Sequence, residues 1–405
     1  MRVLYLSYTG LMEPLGQSQV LAYLSRLCRE HRITVITFEK PHDLADRSGM
    51  TALSARCDEL GIRWLPQRYH HRPRLPATVW DILWLVWLTW SLCRRDNIQI
   101  VHCRSYIPAI VAWILKPVTR TPFIFDMRAL WLDEMIAAGR LRPGSLTETI
   151  LRKIERRLLL GAHTVISLTE AAVEYLKRDE GLWNVRFAVI PTCVDIDRFQ
   201  SPPATSVVKT EDSFIVGSVG TVASGWFLTD WLMRFFLAVQ DRARDAQLRI
   251  VTLDSPDVIE TAAARHDVSV ERIAVVTRKP VEIPAELRDM KAGALFYASG
   301  AASIGRAPTR MGEFLASGVP CVTNRGVGDV ANLIERYGVG VVIENDSAAA
   351  MREAADRLLT LRRDPELSAR CRHAAQDYFS VDRGVAIYDG VYRDVSTSAR
   401  RESAT

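Results

Sequence analysis

The sequence predicts an α/β chain of two doubly wound domains in tandem, and three observations lead there. Short runs rich in Val, Ile and Phe alternate with longer helix-patterned stretches almost from end to end, the pattern of parallel strands covered on both faces. The same rhythm restarts after residue 212. At 405 residues the chain is also too long for one ordinary core.

Taken in order, strands are expected at 2–7, 32–38, 62–65, 98–102, 122–126, 163–168 and 186–190, with helices such as 17–30, 146–160 and 169–178 between them. A second series is expected near 214–219, 247–252, 273–276, 293–297, 319–323 and 340–343. The polar, proline-containing stretch Gln200-Ser-Pro-Pro-Ala-Thr-Ser reads as a linker. The expected plan is therefore an N-terminal domain over 1–199, a linker over 200–212, a C-terminal domain over 213–380, and a terminal helix and tail over 381–405. Doubly wound sheets bind ligands outside the carboxyl ends of their strands, so a cleft between the domains is the expected site.

Composition supports a globular protein, with 48% apolar and 24% charged residues. The seven cysteines are scattered with no Cys-x-x-Cys pair, which fits a reduced, cytoplasmic setting and argues against a disulfide frame or structural zinc. The first residues, Met-Arg-Val-Leu-Tyr-Leu-Ser, read as a strand and not as a secretory signal. Residues 1–198 hold 27 Lys/Arg against 20 Asp/Glu, so the formal charge of +5 is concentrated in the first half. A basic half suits an anionic lipid surface or a phosphorylated ligand. No zinc-finger spacing or aromatic-basic RNA signature accompanies it, and no nucleic-acid partner is expected.

The segment Val79–Cys93, VWDILWLVWLTWSLC, holds four of the ten tryptophans and a single charge, Asp81. Fifteen apolar residues are short for a bilayer span. Two readings stand: a buried core helix, or an interfacial helix whose tryptophans sit at the water–lipid boundary. Arg72, Arg74, Arg94 and Arg95 flank it and suit anionic headgroups, so residues 79–95 are the candidate surface for an anionic membrane.

The densest constellation for chemistry spans 305–335. Pro308-Thr309 suits a helix start, which places Arg310 and Glu313 in its opening turns. A helix N-terminus attracts anions, a diphosphate among them, and Arg306 and Arg310 offer charge-assisted contacts to phosphate oxygens. Glu313 is suited to accepting hydrogen bonds from a ribose diol, or simply to favouring the helix dipole. Asp126 ends an apolar strand, where it would orient an acceptor hydroxyl or stabilise positive charge, or else pair with Arg128. His102 reads either as an acceptor-side group or as a satisfied core histidine. No Gly-Lys-Ser/Thr phosphate loop, Gly-x-Ser-x-Gly elbow or zinc spacing occurs, which removes support for kinase and hydrolase readings.

Six motifs in one order resemble the family 4-like, retaining glycosyltransferases of the GT-B fold. They are Glu13-Pro-Leu-Gly16-Gln17, Val101-His102, Phe125-Asp126-Met-Arg128-Ala-Leu-Trp131, Ile190-Pro-Thr-Cys-Val-Asp195-Ile-Asp197-Arg-Phe199, Gly217-Ser-Val-Gly220-Thr221, and the 305–320 segment. Tyr388-x-x-x-Tyr392 suits that fold's terminal helix, which crosses back to the first domain. The resemblance spans nearly the whole chain and implies two Rossmann-like domains facing a cleft. It implies donor-binding roles for Gly220, Thr221, Arg306, Thr309, Arg310 and Glu313; Arg278 and Lys279 are candidates for the diphosphate charge that Ser224 does not meet, and Asp329 or backbone amides for the donor-sugar hydroxyls that Gly305 does not hold. Acceptor-side roles fall to Gly16, Gln17, His102 and Arg128, and catalytic ones to Asp126 and Glu313. Two departures stand out. The family's Glu-x7-Glu pair keeps only Glu313, because position 305 is Gly, and Ser224 stands where Lys is common.

The resemblance implies retaining transfer of a hexose-type sugar from a UDP- or GDP-linked donor to a lipid-linked or polysaccharide-precursor acceptor. The enzyme would work at the inner face of the cell membrane, with no cofactor and no metal. Asp195-Ile-Asp197 mimics a metal-binding Asp-x-Asp but is accounted for by the motif that contains it. Two other readings share the two-domain build: a non-hydrolysing nucleotide-sugar epimerase, and a catalytically silent sugar-nucleotide-binding partner.

Overall fold

The computed structural model describes residues 1–200 and 213–402; the linker expected over 200–212 lies, beyond Gln200, outside the described residues. The chain forms two compact units, one of Met1–Pro191 together with Val381–Thr405 and one of Thr192–Ser380.

The first unit is built on a seven-stranded sheet: β1 (Arg2–Ser7), β2 (Arg32–Glu39), β3 (Arg63–Arg68), β4 (Ile100–Arg104), β5 (Phe123–Asp126), β6 (Thr164–Ser167) and β7 (Phe187–Val189). Their order is β3-β2-β1-β4-β5-β6-β7, and every pairing is parallel. The central strands are buried along nearly their whole length, as strands covered by helices on both faces must be. Strand order reverses between β1 and β4, and the carboxyl ends of those strands are where a doubly wound sheet offers a ligand site.

The second unit repeats the plan with β8 (Ile215–Val219), β9 (Gln247–Val251), β10 (Ile273–Val276), β11 (Ala292–Leu295), β12 (Cys321–Asn324) and β13 (Gly340–Ile343). Their order is β10-β9-β8-β11-β12-β13, all parallel. Both units are thus the doubly wound, Rossmann-like α/β domains that the alternating pattern predicts. Phe235, Phe296 and Phe314, fully buried, fill the core of this unit.

The tryptophan-rich segment is longer than its apolar run suggests. It forms one helix, Arg74–Arg95, that begins directly after Pro73. The stretch Leu75–Arg95 is long and apolar enough to cross a membrane by length and composition alone, which corrects the expectation of a fifteen-residue segment. The residues 74–78 carry few strongly apolar side chains, so the hydrophobic pattern does not reveal the first turn. One face of the helix packs on its own unit: Ala77, Asp81, Leu85, Thr89 and Leu92 recur at near-helical spacing and are buried. Asp81, only 1% exposed, accepts the Tyr8 hydroxyl at 2.8 Å and the His70 backbone N–H at 3.1 Å, and lies 2.6 Å from His70 Nδ1. The other face exposes Trp80 by 61%, Trp84 by 40% and Trp87 by 52%, beside Leu75, Val79 and Leu83.

The terminal helix Val381–Glu402 belongs to the first unit. Tyr388 and Tyr392 face the sheet, while Asp389 meets His31 at 2.9 Å and Asp382 meets Arg26 at 2.7 Å.

Asp81 fixes the rotation of the tryptophan helix, so Asp81→Ala is expected to cost about 1–2 kcal/mol by stranding the part-buried donors it serves. Leu83→Ala on the exposed face should stay within about 0.5 kcal/mol of wild type. Urea unfolding of both variants checks the contrast.

Candidate functional site

In the second unit the site is built where β8 ends. Gly220 carries φ +86°, and a Cβ there would stand 2.0 Å from Arg310 Nη2, so only glycine both adopts this backbone and leaves room for the guanidinium. The following turn is clamped by Asp254, whose Oδ2 accepts from Val222 N at 2.7 Å and Ala223 N at 3.0 Å. Partial burial works to raise the Asp254 pKa, but these backbone donors prevail and hold it below the usual range.

Helix Thr309–Ala316 starts after Pro308 and buries Met311, Phe314 and Leu315 in the core, which leaves Arg310 and Glu313 on its less buried side. Arg310 Nη1 donates to Thr221 O at 3.4 Å, and its Cζ lies 5.8 Å from the Trp226 ring centroid. Arg306 Cζ lies 5.3 Å from the same centroid. Trp226 in turn stacks on Tyr297 with centroids 5.7 Å apart. Asn324 holds Tyr297 by its backbone, accepting from its N–H at 2.9 Å and donating to its carbonyl at 2.8 Å. Desolvation raises the Glu313 pKa, opposed by Arg310 and Arg198.

Of the expected donor-side residues, the structure brings Gly220 and Thr221 to Arg310, sets Arg310 and Arg306 over Trp226, and carries Thr309 and Glu313 on the same helix as Arg310. Arg278 is placed differently, in an ion pair with Glu286 on the turn after β10. Lys279 opens the same turn, its backbone N–H donating to Glu282 at 2.7 Å. Asp329 is buried and accepts the Tyr378 hydroxyl at 2.9 Å. Sequence reading missed Asp254, Trp226, Tyr297 and Asn324. Trp226 ends the run Thr221-Val-Ala-Ser-Gly225-Trp226, and a large aromatic in the turn after β8 was the available signal.

In the first unit the carboxyl ends of β4 and β5 carry a buried charged cluster. Asp126 is 0% exposed, and its Oδ2 accepts the Tyr388 hydroxyl at 3.0 Å. Arg128 Nη1 lies 3.6 Å from Asp126 Oδ1, and His102 Nε2 lies 3.6 Å from Oδ2. Arg104 Nη1 adds a second guanidinium at 3.8 Å. Arg128 takes a left-handed φ of 60° to turn back toward the carboxylate. Burial opposes ionisation of Asp126, but Arg128, His102 and Arg104 outweigh it and bring the pKa down to about 2. His102 packs on Tyr5 with ring centroids 4.4 Å apart and has Nδ1 2.6 Å from the Tyr392 hydroxyl. Its burial lowers its pKa against the pull of Asp126.

Gly16 and Gln17 shape the loop after β1. A Cβ on Gly16 would stand 2.1 Å from Gly10 O, and Gln17 Nε2 donates to Leu11 O at 2.8 Å. Buried Glu39, unforeseen from sequence, accepts from Leu11 N at 2.8 Å and Met12 N at 3.1 Å and anchors the same loop.

Comparison with known proteins now supplies context. Residues 16–198 match the family model of Glycosyltransferase Family 4. A search of the curated proteins finds no match. Among solved structures, sucrose-phosphate synthase from Thermosynechococcus elongatus is similar with a TM-score of 0.70 at 15% identity, covering 98% of this chain and 100% of its own. A glycosyltransferase from Rickettsia africae ESF-5 gives 0.69 at 14% identity, over 97% and 98%. Anabaena HepE in complex with UDP-glucose gives 0.64 at 16% identity, over 98% and 100%. These likenesses establish a shared GT-B architecture.

The Asp126 carboxyl titrates at about 2 in the folded chain and near 4 when unfolded. Its ionised form therefore contributes stability that is complete above about pH 4 and lost as pH falls toward 2, on the order of 2 kcal/mol. Asp126→Asn should flatten the acid limb of a stability-versus-pH curve by that amount. Urea unfolding between pH 2.5 and 7 measures it.

Proposed function

We propose that this chain, a glycosyltransferase with a Glycosyltransferase Family 4 domain over residues 16–198, transfers a hexose-type sugar with retention from a UDP- or GDP-linked donor to a lipid-linked or polysaccharide-precursor acceptor. The observation that carries the donor half is the pairing of Arg306 and Arg310 on one tryptophan ring beside the start of helix Thr309–Ala316. Guanidiniums and a helix N-terminus together favour a diphosphate. Glu313, further along the helix, supplies the carboxylate for the ribose diol, and HepE, of the same fold, takes UDP-glucose.

In the transfer the bond from the anomeric carbon to the diphosphate oxygen breaks, and the acceptor oxygen arrives on the same face as its proton passes to the departing diphosphate oxygen. The departing diphosphate takes the bonding electrons, and Arg306 and Arg310 neutralise the charge that builds there. On the acceptor side, Asp126, backed by His102, is sealed from solvent and holds Arg128 and Arg104, whose partly exposed side chains form the polar edge against which the acceptor is set. Their tight packing serves positioning, which accounts for much of the rate gain in such reactions.

The acceptor's lipid character is supported by helix Arg74–Arg95. Its exposed tryptophan face, with Arg94 and Arg95 exposed at the end of the helix, suits docking on the anionic inner face of the cell membrane. Asp81, Leu85 and Leu92 keep the opposite face on the protein, so the helix lies on the bilayer without crossing it.

Incubating the protein with a panel of nucleoside-diphosphate sugars and membrane extract is expected to yield a glycosylated lipid or glycan by mass spectrometry. Glu313→Ala should weaken donor binding by about 2–3 kcal/mol. Wild-type binding should also fade on acidification at a higher pH than an ordinary glutamate would dictate, since the raised pKa protonates the carboxylate earlier. Isomerised donor, or binding without transfer, would overturn the transferase mechanism proposed.

Wild-type protein should co-sediment with anionic liposomes at low salt and less so at high salt, because headgroup attraction is screened. A Trp84→Ala/Trp87→Ala double variant should remain folded and stay in the supernatant. Equal pelleting of the variant would remove the membrane surface from this proposal.

A further inference from the structure

The turn after β8, Thr221-Val-Ala-Ser224-Gly-Trp226, carries no Lys or Arg of its own. The structure shows what orients the cations present instead. Trp226 gathers two guanidiniums within 6 Å of its centroid, Arg306 at 5.3 Å and Arg310 at 5.8 Å. Tryptophan is the strongest aromatic partner for a cation. The ring is itself fixed. It stacks on buried Tyr297 at 5.7 Å and 24°, and its carbonyl accepts from Ala298 N at 2.9 Å. The next residue, Phe227, bridges Tyr297 in antiparallel fashion. Gly220 completes the arrangement by leaving the space that the Arg310 guanidinium fills.

Two like charges gathered on one ring repel each other, and an anion that touches both relieves the repulsion. A diphosphate has oxygens enough to meet both guanidiniums, whereas a nucleoside has no charge to offer. We propose that Trp226 is a positioning residue for the leaving diphosphate: its ring sets Arg306 and Arg310 where they grip the two phosphates. The inference rests on the glycosyl-donor reading above. Trp226 makes no contact with the reacting carbon in this proposal and acts only through the arginines.

The test is calorimetry on the full chain with uridine, UMP and UDP, and with guanosine, GMP and GDP, for wild type, Trp226→Phe and Trp226→Leu. Leucine keeps apolar bulk without an aromatic face, so it separates packing from the cation–π role, and melting temperatures confirm that both variants fold. In Trp226→Leu the gain in affinity from nucleoside to nucleoside diphosphate should shrink about tenfold, with nucleoside affinity unchanged. Trp226→Phe should recover most of that gain. Parallel loss of nucleoside and diphosphate binding would mean the ring only supports the pocket, and that overturns the inference. A leucine variant that retains the full diphosphate gain overturns it equally. Wild-type protein that binds neither UDP nor GDP overturns the donor reading itself, and the inference falls with it.

Discussion

A carboxylate with no access to water must be repaid by charges and donors around it, and the first unit is organised around one such group. Asp126 ends the strand beside the switch point, and the cations and hydroxyl that satisfy it come from β4, from the turn after β5 and from the terminal helix. Removing Asp126 would leave Arg104 and Arg128 facing each other with no acid between them. The Tyr388 hydroxyl and the Tyr392–His102 contact therefore do more than decorate the terminal helix: they complete the polar interior of a sheet formed hundreds of residues earlier.

The same device recurs at loops that carry no sheet. Glu39 holds the turn after β1 by two backbone N–H groups, Asp254 does so for the turn after β8, and Asp81 locks the tryptophan helix through Tyr8 and His70. Each acid uses strong charge-assisted bonds to hold irregular backbone at a strand's carboxyl end. Those ends are where doubly wound sheets receive ligands, so the rigidity is spent where positioning matters.

The central strands were legible because parallel strands buried on both faces write themselves as unbroken apolar runs, whereas the edge strand β3 is only half buried and mostly polar. The donor helix was legible from Pro308-Thr309 and the Gly318-Val-Pro320 turn after it. The acids that clamp the loops were not, because an isolated Asp or Glu at a strand end looks the same whether it caps, pairs or binds. Asp254 and Glu39 acquire their roles only when sequence-distant N–H groups arrive. Trp226 escaped for a related reason: its partners Tyr297, Arg306 and Arg310 lie far along the chain. Arg278 and Lys279 were read by charge alone, which could not foresee Glu286 on the helix that follows or Glu282 on the same turn.

The first unit is assembled from the two ends of the chain, while Thr192–Ser380 is one continuous stretch. On the ribosome this imposes an order. The middle unit has all its strands once residue 380 has emerged, but the earlier sheet must wait, with Asp126 and His102 uncovered, for helix Val381–Glu402 to leave the tunnel. Nascent chains stalled before Tyr388 would carry a finished second unit and an open first one, a substrate for chaperones until that helix docks.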